Sequence, residues 1–228
     1  MKLALAIDTS TRRGSVAVGP IGTGDVLAEE SLEVSATHSE TVLPAIDRLL
    51  SGIGGTPVAI VAVVVGSGPG SFTGVRIGAA LSRGLCYGGR AELFAYSSLA
   101  ATAVASGLRG AVCALLDAGR GQVYAAGYEI GPDAVSERVP PHAGALVDLL
   151  PELDPHAWSF AAALPDAARR AIDSAGGRLC AVGAARPTGA ALLRLLALDP
   201  SAGRVADPAR WEPEYVRGSS AERRLARD

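Results

Sequence analysis

The stretch that decides the fold is Val58 to Gly78, VAIVAVVVGSGPGSFTGVRIG. Its first eight residues, Val58 to Val65, are apolar and mostly β-branched. The run is too short to cross a membrane and too uniform to be half exposed, which predicts a strand buried on both faces of a parallel or mixed sheet covered by helices. The turn from Gly66 to Ser71 places backbone N–H groups where a helix beginning near Thr73 adds its own unpaired donors, an arrangement suited to an anion. The sequence fits neither standard nucleotide motif. A dinucleotide fingerprint needs a third glycine where Ser71 or Thr73 stands, and a Walker loop needs a lysine, whereas Lys2 is the only lysine in the chain. Two readings follow: a phosphate cradle, or a tight strand-to-helix turn whose glycines allow close packing.

Upstream, Leu3 to Ile7 predicts a second buried strand, which runs into Asp8-Thr9-Ser10-Thr11 and returns as a strand from Ser15 to Val18. The layout resembles the first phosphate loop of the actin, hexokinase and Hsp70 fold; an Asx or ST turn capping a hairpin has the same residues. Thr37-His38-Ser39-Glu40 has capping-box spacing, and Val42, Ile46, Leu49 and Leu50 form an apolar stripe, predicting a helix to about Ser51 with a kink or late start at Pro44. No second His, Cys or paired carboxylate stands at helical spacing from His38, which reads as a first-turn surface or interface residue. On the helix after the central turn, Gly74, Gly78 and Ser82 leave one side nearly bare, so that its own sheet or an intersubunit helix can approach closely.

Downstream, the pattern predicts a strand at Glu92 to Tyr96, a helix at Ser97 to Ser106, a hinge at Gly107 to Gly110, and a strand at Ala111 to Leu116. A turn from Asp117 to Gln122 and a returning strand from Val123 to Tyr128 then repeat the N-terminal arrangement, pointing to a duplicated architecture. Gly131 to Pro141 reads as a surface loop. Helices are predicted at Ala143 to Leu150 and Asp166 to Ala175, strands at Trp158 to Ala162 and Leu179 to Val182, and a last helix from Pro187-Thr188 to about Leu198. The second half has no comparable glycine-rich loop. The expected division is a first subdomain over 1–106, a reduced second subdomain over 107–186, and a C-terminal helix in 187–228 that packs back on the first subdomain before a tail. Arg217, Arg223, Arg224 and Arg227 in that tail fit a solvated end, with contact to RNA or an acidic partner as the alternative.

The chain of 228 residues carries a formal net charge of -2, with its basic side almost wholly arginine, which excludes a stand-alone nucleic-acid binder. Cys86, Cys113 and Cys180 lie far apart in apolar segments and read as buried thiols in a reducing compartment. No signal peptide or membrane span is read, so the expected location is cytoplasmic.

Taken together, AIDTSTRRGSVAVG, THSETVLPAIDRLL, VGSGPGSFTGVRIGAALSRGL and YSSLAATA resemble the TsaB (YeaZ) family of tRNA threonylcarbamoyladenosine biosynthesis. The resemblance covers roughly Leu3 to Thr102. It continues more weakly at Asp117-Ala118 before Val123-Tyr124, where Gly119 and Gln122 replace the usual arginine and glutamate, and at Tyr215-Val216-Arg217, where Val216 replaces leucine. It implies an α/β fold of the actin/hexokinase/Hsp70 (ASKHA) type, with two RNase H-like subdomains of which the second is reduced. It further implies a non-catalytic subunit supporting a TsaD-like transferase.

TsaD holds its metal with an HxxxH motif, and this sequence offers Ser98 and Thr102 at those positions. Two neutral hydroxyls are a poor ligand set, so no metal and no catalytic residue are expected. The resemblance leaves a degenerate nucleotide site at Asp8, Thr9, Ser10, Thr11, Gly68, Gly70 and Ser71, with no cofactor required and weak ATP or ADP binding placed at the complex interface. The implied contact surface is His38, Val42, Ile46, Leu49, Phe72, Gly74, Ile77, Gly78 and Leu81. The implied partners are the TsaD-like transferase, a TsaE-like ATPase and, in the transferase's absence, a second copy in a homodimer; tRNA is contacted indirectly and no membrane is involved. The competing reading is an ATP-binding kinase or transferase active alone through the Asp8 turn and the Gly68 to Gly74 loop. A protease is disfavoured, since there is no GxSxG and His38, His142 and His156 stand in unrelated segments.

Overall fold

A computed structural model describes residues 1–33, 38–87 and 90–216, with only the backbone of 38–40. Two five-stranded sheets repeat one strand order. In the first, β1 (Leu3–Asp8) lies between β2 (Arg13–Pro20) and β4 (Ile60–Gly66), with β3 (Ala28–Glu33) outside β2 and β5 (Glu92–Tyr96) outside β4. In the second, β6 (Gly110–Gly119) lies between β7 (Gln122–Ile130) and β9 (Ser159–Ala163), flanked by β8 (Val135–Ala145) and β10 (Arg178–Leu179). In each sheet the first three strands pair antiparallel and the last two join in parallel.

The helices repeat as well. The first half has α1 (His38–Gly52), α2 (Phe72–Cys86) and α3 (Ser98–Ala105). The second has α4 (Leu146–Glu152), α5 (Asp166–Ser174) and α6 (Gly189–Leu198), followed by the short α7 (Pro200–Gly203). The second half is reduced in particular places: α4 has 7 residues where α1 has 15, α5 has 9 where α2 has 15, and β10 has 2 where β5 has 5. This is the duplicated α/β, ASKHA-type architecture that the resemblance implies.

Burial follows from this layering. Leu99, Ala101 and Ala103 of α3 and Leu192, Leu193 and Leu196 of α6 fill the space between the sheets, against Ala4, Ala6 and Val64 of one and Val112, Ala114 and Leu116 of the other. The outer face of the first sheet is covered by Val42, Ala45, Ile46, Leu49 and Leu50 of α1 and by Cys86 of α2. Leu149, Leu150 and Ile172 of α4 and α5 cover the outer face of the second. Both central strands are therefore buried on two sides, which is why they read as continuous apolar runs.

Several expectations are corrected. The strand expected at Val58 starts at Ile60, because Pro57 opens a 3-10 turn over Pro57–Ala59 that leaves Val58 72% exposed. Strand β3 was not anticipated: AEESLE buries only Leu32 and pairs at an edge. The loop expected over Gly131 to Pro141 is largely β8, an edge strand, where Pro140 and Pro141 are tolerated because the outer side needs no donors. The turn expected from Asp117 to Gln122 shrinks to Arg120-Gly121, both at positive φ (57° and 73°) as a two-residue hairpin requires. The last strand ends at Leu179 rather than Val182. Helix α1 runs through Pro44 without a late start. The Thr37 cap and the Arg217 to Asp228 tail lie outside the described residues.

Candidate functional site

The site begins with Asp8, the last residue of β1. It is fully buried, and its Oδ1 accepts from the Ser10 N–H (2.8 Å) and Ser10 Oγ (2.7 Å) while its Oδ2 accepts from Ser98 Oγ at the start of α3 (2.7 Å). A Cβ on Gly66, at the end of the neighbouring β4, would overlap Asp8 Oδ2, so that glycine makes room for the carboxylate. Desolvation raises the Asp8 pKa above its ordinary value, partly offset by the hydrogen bonds from Ser10 and Ser98. The carboxylate thus ties the β1–β2 turn to the start of α3, close against the end of β4. It is absent from the lining of the adjoining cleft.

Thr9 and Ser10, also buried, meet the glycine-rich turn directly. Thr9 Oγ1 donates to the Gly74 carbonyl (2.7 Å), and the Ser71 N–H donates to the Ser10 carbonyl (2.7 Å). Cβ atoms on Gly70 and Gly74 would overlap the carbonyl oxygens of Ser10 and Thr9, and one on Gly78 would lie 2.5 Å from Thr9 Oγ1. Gly68, at φ +95°, donates to Ser98 Oγ and accepts from the Ser98 N–H, while Ser71 caps α2 through the Gly74 N–H. The predicted nucleotide residues are therefore brought together, but chiefly as partners of one another. Of that set Ser10, Thr11, Gly70 and Ser71 line the cleft. Thr11 directs its hydroxyl to the Arg13 carbonyl.

At the positions of the TsaD metal histidines, Ser98 Oγ is engaged with Asp8, and Thr102 Oγ1 donates to the Ser98 carbonyl; both residues are fully buried. These groups do not fit a metal ion, and no group of three or more His, Cys, Asp or Glu among the described residues could hold one.

Replacing Asp8 tests the tie. Asp8→Ala leaves the Ser10 and Ser98 donors without an acceptor, with an expected loss of about 2–3 kcal/mol. Asp8→Asn retains an acceptor and should cost less. Because the folded pKa is raised, the neutral acid contributes stability that is fully present below 3.8 and is lost as pH rises through the folded pKa. Denaturant unfolding of wild type and Asp8→Asn across acidic pH should show wild type losing ground to the variant as pH increases; parallel curves would contradict the assignment.

The cleft, about 720 Å³, opens between the halves. Its walls come from the β1–β2 turn (Ser10 to Arg13), Pro69 to Phe72, Leu116 to Gly119, Ala162 to Asp166, the 182–186 segment and Glu214 to Val216. Arg12, Arg13, Arg169 and Arg186 face the same space as Asp117, Asp166 and Glu214. The last segment carries Tyr215-Val216 of the weaker family resemblance. It docks where Glu214 N–H donates to the Ser67 carbonyl (3.0 Å) and Tyr215 Oη accepts from Arg76 Nε (3.0 Å). The Arg76 guanidinium lies 3.8 Å over the Phe72 ring, and the rings of Phe72 and Tyr215 are 5.4 Å apart. Upstream, Val205 N–H donates to the Leu93 carbonyl and Arg83 Nη2 to the Ala209 carbonyl, fastening the segment along β5 and α2.

The predicted contact surface divides. Val42, Ile46 and Leu49 are buried in the chain's own core, and Gly74 and Gly78 face Thr9, because amphipathic periodicity reports burial without saying whose surface does the burying. Leu81 is half-buried against that same core, Ile77 is half-buried, Phe72 is 37% exposed, and the His38 side chain lies outside the described residues. Leu43 of α1, 46% exposed, was not anticipated.

A family model described as TsaD, tRNA N6-adenosine threonylcarbamoyltransferase, matches residues 31–166. The chain is 35% identical over 148 residues to the tRNA threonylcarbamoyladenosine biosynthesis protein TsaB of Bacillus subtilis, covering 64% of this chain and 63% of that protein. It is 36% identical over 128 residues to the protein of the same name in Escherichia coli, covering 55% and 54%. The chain thus spans between half and two thirds of these relatives. A crystal structure from Pseudomonas aeruginosa, described as an uncharacterized protein with similarity to peptidase YEAZ, superimposes with a TM-score of 0.77 at 26% identity, over 95% of this chain and 100% of that one.

Proposed function

The chain belongs to the TsaD family, in its TsaB/YeaZ branch, and from that premise we propose that it is a non-catalytic subunit supporting a TsaD-like transferase that adds threonylcarbamoyl to adenosine of tRNA. One observation carries the non-catalytic part. The groups that would do chemistry are engaged with each other: Asp8 with Ser10 and Ser98, the Ser98 carbonyl with Thr102, and the glycine turn with Thr9 and Ser10. A transferase needs a Lewis acid or a free general acid or base at the reacting atoms. The histidine positions of TsaD hold occupied hydroxyls here, so a partner has to supply that chemistry.

The contact we assign lies on α2, centred on the half-buried Ile77 with the exposed Phe72 at its start, together with the exposed Leu43 of α1. A second copy takes the same face when the transferase is absent, and a TsaE-like ATPase joins the assembled pair. The test is reconstitution of the modified nucleoside from tRNA, threonine, bicarbonate, ATP and the partner proteins. Product is expected only when this chain is included, and Asp8→Asn should support it nearly as well as wild type. Full activity without the chain would overturn the role; a chain that forms product alone would overturn its non-catalytic character.

A further inference from the structure

We propose that Ala206 to Val216 is a releasable strap, rooted at β5 and latched by Glu214 and Tyr215, whose opening removes one wall of the cleft and bares Phe72 and Arg76 of α2. The root lies at the edge of the first sheet. There Arg204 bridges Phe94 and pairs with Glu92, and the Val205 N–H donates to the Leu93 carbonyl (2.9 Å). Beyond it the chain crosses α2 with no helix or strand of its own, and none of residues 204–216 is buried. Midway, Arg83 Nη2 donates to the Ala209 carbonyl (2.6 Å), and Trp211 packs half-buried against the first sheet's core. A segment that buries so little opens at a smaller free-energy cost than the core beneath it.

The latch joins the glycine turn, α2 and the cleft. The Glu214 N–H donates to the Ser67 carbonyl (3.0 Å), and the Glu214 carbonyl oxygen lies 3.1 Å from where a Cβ on Gly68 would stand. Tyr215 Oη accepts from Arg76 Nε, and its ring lies 5.4 Å from that of Phe72. Glu214, Tyr215 and Val216 line the cleft together with Pro69 to Phe72, so wall and α2 surface are released in one movement. Phe72 also begins the contact assigned above, and the strap sets what α2 presents there; the strap itself does not rest on that reading. One charge works against the latch. Tyr128 Oη reaches Ser97 Oγ (3.2 Å), beside the Ser98 that holds Gly68, and Glu137 of β8 stands opposite Tyr128. Burial and the Glu214 charge both raise the Glu137 pKa, and no ion pair among the described residues neutralises either carboxylate. Their repulsion lowers the cost of opening.

Amide hydrogen exchange on the full chain measures the opening. In wild type the Glu214 amide should exchange more slowly than an unstructured one but at least about 100-fold faster than that of Ser71, whose N–H donates to the Ser10 carbonyl. Tyr215→Ala should speed exchange at Glu214 about tenfold and leave Val205 and Ser71 unchanged. Glu137→Gln should slow it about two- to threefold at neutral pH. A wild-type Glu214 amide without protection, or one that exchanges as slowly as Ser71, would overturn the strap. So would Tyr215→Ala that leaves Glu214 unchanged or speeds Ser71 equally, and no slowing in Glu137→Gln would overturn the opposing charge. The wild-type rates decide the matter even if a variant folds poorly, and none of these outcomes depends on a transferase partner.

Discussion

Gly74→Ala is expected to destabilise the protein by about 3 kcal/mol, whereas Gly84→Ala, ten residues along the same helix, is expected to stabilise it by roughly 0.5–1 kcal/mol. The opposite signs follow from what each side of α2 faces. A Cβ on Gly74 would overlap the Thr9 carbonyl oxygen, a backbone atom held in place as Thr9 Oγ1 donates to the Gly74 carbonyl. It cannot move without separating the β1–β2 turn from α2. Gly78→Ala should fall between the two, because its Cβ would meet Thr9 Oγ1, the end of a side chain that can rotate at the cost of its hydrogen bond. At Gly84 a Cβ would meet nothing within 4 Å, so alanine simply reduces the backbone entropy lost on folding. For a chain of this size the melting midpoint should fall roughly 6–12 °C for Gly74→Ala and rise by a few degrees for Gly84→Ala. If the glycine stripe instead faced a partner, both substitutions would stabilise the isolated chain.

That contrast marks what the residues alone could disclose. The buried strands β1 and β4 and the start of α2 were legible, since burial on both faces imposes continuous apolar runs and a glycine turn must follow. Strand β3 was not legible, because an edge strand that buries only Leu32 carries almost no periodic signal, and β8 was concealed by Pro140-Pro141, which mark a loop except at an edge. The site was half legible. Asp8 to Thr11 and Gly68 to Ser71 each resembled a phosphate loop, and both residue sets do converge. What local pattern could not reveal is that they converge on each other, through contacts such as Thr9 to Gly74 and Asp8 to Ser98, separated by 65 and 90 residues. The docking of Tyr215 on Arg76, 139 residues away, left still less trace.

Ile77→Glu should weaken the proposed association with a TsaD-like partner by at least about 30-fold while leaving the fold intact, the second large effect expected of this chain. The choice of residue follows from burial. Val42, Ile46 and Leu49 are packed under α1 in the first sheet's core, so charging any of them would unfold the chain and abolish binding for a trivial reason. Ile77 is half-buried on α2, one turn before Leu81, which packs against that core. A carboxylate placed there stays hydrated in the free chain but must be desolvated without a partner once an apolar surface covers it, so the penalty appears on association alone. The masses of wild-type and variant mixtures with the partner, measured beside their melting midpoints, separate the two effects. A complex of unchanged mass and affinity would move the contact off this face of α2. A fallen midpoint would show that Ile77 belongs to the core, and Leu43→Glu on the exposed side of α1 would then take over the test.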